Sequence, residues 1–512
     1  MIKNERTIIL GIDFDGAPVQ GGDPLYVNRM GPKAFLDFLE IHSGLIPVHS
    51  SPIERIASFM AVLKENKGNF AFYADSWEIA PFASAKRMLE WIDAWYLHGW
   101  NGEIDKTTDF PKESIAPILE LAVLDKASRN RVSPGTGRRL LELSSVLSKG
   151  IHIPLKKLEF IDNLDDWPAA WQEVFKKLSC IKQIYNWNPA ETGNKSKLKE
   201  ALVLEYDSAV TALRYLSQLM ENEKKQFSSH FILEAEGNLR DEILSAYGKP
   251  ETGARESNSN DSASQILPLA LNLQKEPLDM TSLLAFLSLP VCPLGGIRYK
   301  LAESVANSGG IYGNAWKDGI EESKKLWKKW NKDELELEGF VDSWIPKIKQ
   351  QEQAFSKQAA IDTAERVIAF LRKSRNKHYD TALAQASLFC RTLELLGDSY
   401  NELPWSLLEE ILSLASGTAT GGNPLNKWEA GTRRPWSSPG AVFEDIDTLV
   451  WFNPQNRSEI YCEFRRRLLR RFPYSIYYRV IGFEVVIFGL FHCARDPINI
   501  SVMLDYREGL EN

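Results

Sequence analysis

Asp13 and Asp15 close the first apolar run of the chain in the string DFDG. Two carboxylates this close after a strand are candidates for acid–base work or for holding a metal ion. Gly397-Asp398 with Glu402 offers further oxygen ligands far along the chain. The competing reading is a polar turn at the end of an edge strand. Glu205 and Glu234 end two other short apolar runs. A metal-dependent nuclease needs Asp, then Glu-x-Lys on adjacent strands, and neither glutamate has Lys at that offset. A nucleotide-driven motor needs GxxxxGK[ST], and the chain contains no Gly-Lys-Ser or Gly-Lys-Thr. SPGTGRR (133–139) and TGNKSK (192–197) imitate that loop in the wrong order. The motifs therefore lean against turnover. No cofactor is expected, and no metal beyond the weak candidates Asp13 and Asp15.

Basic chemistry collects elsewhere. Residues 457–481 hold seven Arg, two Glu and no Lys, a surplus of five positive charges. Arg465, Arg466, Arg467, Arg470 and Arg471 suit phosphates or an acidic partner protein. On a helix or a strand they cannot all share one face, so some must be solvated. The seven His are isolated from one another, with no metal-ligand spacing. Trp91, Trp95 and Trp100 have near-helical spacing, which reads as helix packing before it reads as a base-stacking platform.

The elements that must position these residues alternate. The chain has 512 residues, 44% hydrophobic and 25% charged, enough for several domains with cores of their own. A net charge of −7 does not call for nucleic acid as a whole. Five scattered Cys, without a CxxC pair, exclude a zinc ribbon or a disulfide scaffold and favour a reducing compartment. Neither a signal peptide nor a membrane span is evident, so a cytoplasmic location is expected. Strands are predicted at 7–12, 155–161, 181–187, 202–206 and 231–234. Helices are predicted at 32–43, 53–64, 81–96, 114–127, 137–147, 167–178, 208–220 and 237–247. Such alternation implies a parallel sheet with crossover helices. The Gly/Pro-rich segment after Asp15 reads as a loop. Residues 265–289, 298–305, 316–372, 381–396 and 405–416 read as helical. A five-glycine loop at 417–440 precedes a strand at 448–452. At the end, alternating residues at 475–480 and 484–490 form a hairpin around Ile481-Gly482 or Gly482-Phe483.

Three stretches carry a resemblance. The first is GPKAFLDFLE, SSPIERIASFMAVL and FYADSWEIAPFASAKRMLEWIDAWYLHGWNG, which holds Trp91, Asp93, Gly99, Trp100, Asn101 and Gly102. The second is ILPLALNLQKEPLDMTSLLAFLSLPVCPL with SGGIYGNAW, and the third is GGNPLNKWEAGTRRPWSSPGAVFEDIDTLVWFNP. Together they resemble inactivated UvrD-like helicases and PD-(D/E)XK nuclease family proteins, relatives of the AddB and RecC exonuclease subunits. The resemblance implies a degenerate P-loop-NTPase-like α/β region that holds DNA and partner subunits. The nuclease domain expected after Trp451 is missing. The tail FRRRLLRRFPYSIYYRVIGFEVVIFGLFHCARDP instead resembles the second half of a RelE/ParE-type toxin, without its first half. That resemblance makes Arg479, His492 and Arg495 candidates for phosphate binding and acid–base work on RNA. It also implies an antitoxin as partner. DFDG resembles the start of haloacid-dehalogenase-like phosphatases, a resemblance that implies Asp13 as nucleophile, Asp15 as general acid and Mg²⁺ nearby. Against it, Ala17 stands where Thr or Val is usual, and Gly397 follows a helix.

The sequence thus divides into a helicase-like α/β region (1–252), an α-rich region (265–416), a loop and strand closing the first part (417–456) and a toxin-like hairpin tail (457–512). The expected role is a non-catalytic scaffold in DNA double-strand-break processing, with DNA and a helicase–nuclease subunit as partners. A toxin of a toxin–antitoxin pair, or a decayed fusion without function, are the alternatives.

Overall fold

The structure is a computed structural model that describes residues 6–15, 27–69, 72–104, 112–151, 153–179, 184–186, 206, 208–222, 230–233, 237–249, 262–308, 310–311, 313–374, 379–418, 435–436, 449–452, 465–468, 474–481 and 484–492. The chain is α/β and rich in helix. β1 (Arg6–Leu10) is a β-branched run whose Ile8 and Leu10 are fully buried. β2 (Val27–Met30) lies beside it, in parallel, with Thr7 opposite Val27. The chain then forms α1 (Pro32–Ser43), α2 (Pro52–Glu65), α3 (Ala74–Ile79), α4 (Pro81–Leu97), α5 (Lys112–Ser128) and α6 (Thr136–Leu147). Only then does β3 (Leu155–Phe160) return to the other side of β1, followed by α7 (Ala169–Ser179) and β4 (Ile184–Asn186). The sheet order is β2-β1-β3-β4, all parallel.

Local signals explain the helix ends. Pro32, Pro52 and Pro81 stand in first turns, where a missing N–H costs nothing. Ser51 and Glu54 form a reciprocal capping box at α2. Gly44 ends α1 at φ +78°, a left-handed conformation that glycine adopts without strain.

Beyond α7 come α8 (Ala209–Asn222), β5 (His230–Leu233) and α9 (Gly237–Ala246). A helical array follows: α10 (Ile266–Asn272), α11 (Met280–Ser288), α12 (Arg298–Ser308), α13 (Asn314–Lys329) and α14 (Leu337–Trp344). A short strand β6 (Phe355–Ser356) leads into α15 (Lys357–Ser374) and α16 (Asp380–Leu395), and β7 (Glu402–Leu403) pairs back with β6 before α17 (Trp405–Thr418). β8 (Leu449–Phe452) pairs in parallel with β5. The tail forms an antiparallel sheet of β9 (Arg465–Leu468), β10 (Tyr474–Ile481) and β11 (Glu484–His492), with Ile481 opposite Glu484. That pairing leaves the two-residue spacing expected of the hairpin.

Apolar packing has two main centres. One surrounds the parallel sheet, where Phe35, Leu36 and Leu39 of α1, Leu140 and Leu143 of α6, and Trp171, Val174 and Phe175 of α7 cover β1 and β3. The other is larger. It joins α2, α3, α4 and α5 to the helices from α10 to α17, so it draws on both sides of the polar stretch 253–264. A smaller cluster holds Leu213 and Leu216 of α8 with Phe452 of β8.

Several expectations change. Residues 265–289 form two helices, because Pro277 cannot donate to a continuing helix and Asp279 caps a new one by accepting from Thr281 and Ser282. Residues 316–372 form three helices. Asn331, at φ +55°, turns the chain after α13, and Asp333 caps the next turn. The segment read as loop contains β2, whose four residues are too few for a periodic signal. Residues 202–205 of a predicted strand, and most of the loop 417–440, lie outside the described residues. Among the described residues, no helix is long and apolar enough to cross a membrane.

Candidate functional site

Open parallel sheets bind ligands at the carboxyl ends of their strands, next to helix N-termini. Here that edge is built from the turn after β1, the start of α1 and the end of β3. Asp15 Oδ2 accepts the N–H of Lys33 at 2.7 Å, and its Oδ1 accepts that of Ala34 at 3.2 Å. Pro32 has no N–H, and Phe35 N donates to Gly31 O. The first-turn donors of α1 are thus supplied from within, by a carboxylate 18 positions upstream of Lys33. Gly31 is required there, because a Cβ would meet Asp15 N at 2.2 Å. Asp162, after β3, accepts Ile12 N–H at 2.7 Å. An anion seated on α1 would have to displace Asp15. Asp13 lies half-buried in the same turn. Among the described residues, no three Asp, Glu, His or Cys side chains gather as metal ligands do, so Asp13 and Asp15 are not joined by a third.

The residues behind the first resemblance form a second constellation, an ionic network binding α1, α2, α4, α5 and α6. Arg55 of α2 meets Asp93 of α4 through two bonds of 2.6 and 2.8 Å, and its Nε donates to Ser133 O at 2.9 Å. Asp93 also lies against Gly135, where an added Cβ would fall 2.2 Å from Oδ1. Gly135 opens α6, so the SPGTGRR imitation of a phosphate loop has a carboxylate at its helix start. Arg139 of the same string reaches Glu40 with bonds of 2.9 and 2.6 Å and Asp37 with one of 2.6 Å. Asp125 is 1% exposed and accepts both the Tyr96 hydroxyl and Arg129 Nε at 2.9 Å. Burial, reinforced by the bond to Asp125, pushes the Tyr96 phenol up to about 12. Arg129 also donates to Gly102 O, and Gly102 holds φ +89°. Trp100 Nε1 donates to Glu103 O at 2.8 Å, while Asn101 Oδ1 accepts Glu103 N–H at 3.0 Å. Trp95 and Trp100 meet edge to face at 5.4 Å and pack on the large core, so helix packing occupies both rings.

Two grooves remain. One, of about 370 Å³, lies between α13 and α14 over Ile311, Trp316, Ile320, Val341 and Ile345. Its rim charges pair with neighbours: Glu338 bonds Lys324 at 2.7 Å, and Asp342 bonds Lys347 at 2.7 Å. The other, of about 360 Å³, lies beside Tyr96, Trp100, Leu140 and Lys176. Neither contains Asp13 or Asp15.

In the tail, Arg465, Arg466 and Arg467 are consecutive on β9, Arg479 stands opposite Val486, and His492 opposite Tyr474. The sheet order β11-β10-β9 brings these strands together. Arg470, Arg471 and Arg495 lie outside the described residues. Glu402 is the first residue of the short strand β7, and Asp398 lies in the turn before it.

The acids are legible in the sequence, but their partners are not. Nothing in the spacing shows that Asp15 caps α1 or that Asp93 faces Arg55, because both links are made by the fold. The end of α13 has a legible signal of its own, the run SKKLWKKWNK with five Lys and no acid. No family model matches the chain, and no curated protein matches it.

Proposed function

We propose that the chain is a non-catalytic scaffold of DNA end processing, a degenerate relative of AddB/RecC-type helicase–exonuclease subunits. The observation that carries the reading is the closure of the sheet's carboxyl edge. A nucleotide-driven subunit keeps that helix start open to phosphate, and this chain fills it with Asp15. The three stretches of resemblance supply the DNA context. In the first of them, Asp93 ties α4 to Arg55 of α2, Gly102 O accepts Arg129 of α5, and Trp100 and Asn101 brace the turn after α4 through Glu103. That is the work of a frame on which DNA and a partner subunit are held.

The test is a salt titration of the full chain against blunt duplex, tailed duplex and single-stranded DNA, with ATP and Mg²⁺ controls. Binding whose logarithm falls steeply with the logarithm of salt, without ATP hydrolysis or strand cleavage, is the expected result. Metal-dependent cleavage or ATP turnover overturns it.

The tail supports a second reading. Its antiparallel sheet β9-β10-β11, carrying Arg479 and His492, fits the toxin-like half-fold. Growth arrest on expressing the full chain, relieved by Arg479→Ala, favours it. Unimpaired growth removes it.

A further inference from the structure

Away from the sheet, the C-terminal end of α13 and the first turn of α12 meet at the surface. α13 ends in Lys328 and Lys329, is capped by Trp330, and continues through Asn331 to Lys332. From Ser323 to Lys332 there are five Lys and no acid. Lys325, Lys328, Lys329 and Lys332 are all exposed. The indole of Trp330 lies against Gly296, where a Cβ would meet its ring at 2.7 Å. Gly296 precedes Arg298 and Tyr299, the first two residues of α12, in the chain. Trp330 remains 44% exposed and Tyr299 65% exposed. Arg298 lies 4.6 Å from the centre of the Tyr299 ring and donates to its hydroxyl at 2.7 Å. Lys332 sits 4.8 Å from the Trp327 ring.

Part of this basic charge has a local purpose, because lysines in a last turn favour the helix dipole. The dipole does not account for two large aromatic rings left in water beside them. An exposed π-face with cations around it suits a ligand that is both anionic and flat. Single-stranded DNA offers phosphates to the lysines and unpaired bases to Tyr299 and Trp330. A duplex keeps its base faces stacked internally. An acidic peptide would match the charge but leave the rings unused. Acids border the patch on both sides in the chain, and of these Glu334 pairs only loosely with Lys328, at 4.0 Å.

We propose that Arg298, Tyr299, Lys328, Lys329, Trp330 and Lys332 form a docking surface for single-stranded DNA. The proposal rests on the scaffold reading and extends it by naming the surface and the strand form.

The experiment is fluorescence anisotropy of labelled oligothymidine on the full chain, with tailed and blunt duplex as comparison arms. Tyr299→Ala weakens oligothymidine binding roughly fivefold or more, and Tyr299→Phe retains it. Lys328→Ala with Lys329→Ala lowers the salt slope by about 1.4, or about 0.7 for each phosphate no longer neutralised. Blunt-duplex binding changes less than oligothymidine binding in the Tyr299→Ala chain. Trp330→Ala can loosen the packing on Gly296, so Tyr299→Ala decides the matter, its unfolding midpoint confirming an intact fold. Parental binding by Tyr299→Ala overturns this surface and leaves the scaffold reading standing. A parent chain that binds no DNA form overturns both. Polyglutamate that displaces oligothymidine at equal charge shows an acidic-peptide surface and overturns the stacking role.

Discussion

The helix junction of α1, α2, α4 and α6 and the outer end of α13 are both rich in cations, and they use them in opposite ways. At the junction, arginines face inward and meet carboxylates with bonds of 2.6–2.9 Å. At α13, lysines face solvent beside exposed rings. A guanidinium suits the first task because its planar fork satisfies two carboxylate oxygens at once. An ammonium on a long stem suits the second, where a mobile phosphate chain is followed loosely. Charge count alone does not separate a strut from a binding surface. Burial and the partner do.

Breaking the junction at its most enclosed point has the largest expected effect. Glu40 is 3% exposed, and Arg139 is its cation. Arg139→Met strands that carboxylate and costs about 3–5 kcal/mol, read as a lowered urea midpoint. Adding Glu40→Leu recovers most of the loss, since a buried pair can be exchanged for apolar groups at little cost. A smaller loss follows from Gly135→Ala, which drives a methyl into Asp93 and loosens its bonds to Arg55. About 1–3 kcal/mol is expected, again by urea unfolding.

Next comes a pH effect. The Tyr96 phenol is raised to about 12 from 10.0, so the folded chain keeps a proton that the unfolded chain releases first. Its contribution is complete below pH 10.0 and fades as pH climbs through about 12. Tyr96→Phe loses about 1–2 kcal/mol at neutral pH and flattens the alkaline fall. A fall of undiminished slope in that variant would assign it to other groups. Smallest is the effect of Lys328→Ala with Lys329→Ala on stability. It stays within about 0.5 kcal/mol by thermal unfolding, whereas the junction variants do not.

Much of the frame is legible in the residues. Pro32 and Gly44 bracket α1, and the strand–helix alternation announces a parallel sheet. The break between α10 and α11 is written in Pro277 and Asp279, but apolar spacing runs across it. β2 and α3 are too short for periodicity to register. The site is legible only in part. DFDG draws attention to Asp15 as a carboxylate after a strand, but not to its place at the start of α1. Its partners, Lys33 N–H and Ala34 N–H, are backbone groups that every residue but proline owns. Trp91, Trp95 and Trp100 attract notice by their ring type. Tyr299 and Trp330 are among the rings left open, and exposure is a property of the fold rather than of the letters.

The large core has a bearing on how this polypeptide can be divided. Phe59 and Met60 of α2 belong to the same apolar body as Leu283 of α11 and Phe389 of α16. A protease cut within the hydrophilic stretch 253–264 would therefore not liberate two independent modules. Each fragment alone would present a raw oily face and aggregate, and the pair made together would reassociate. Nicked protein should stay whole on a sizing column until denaturant parts it.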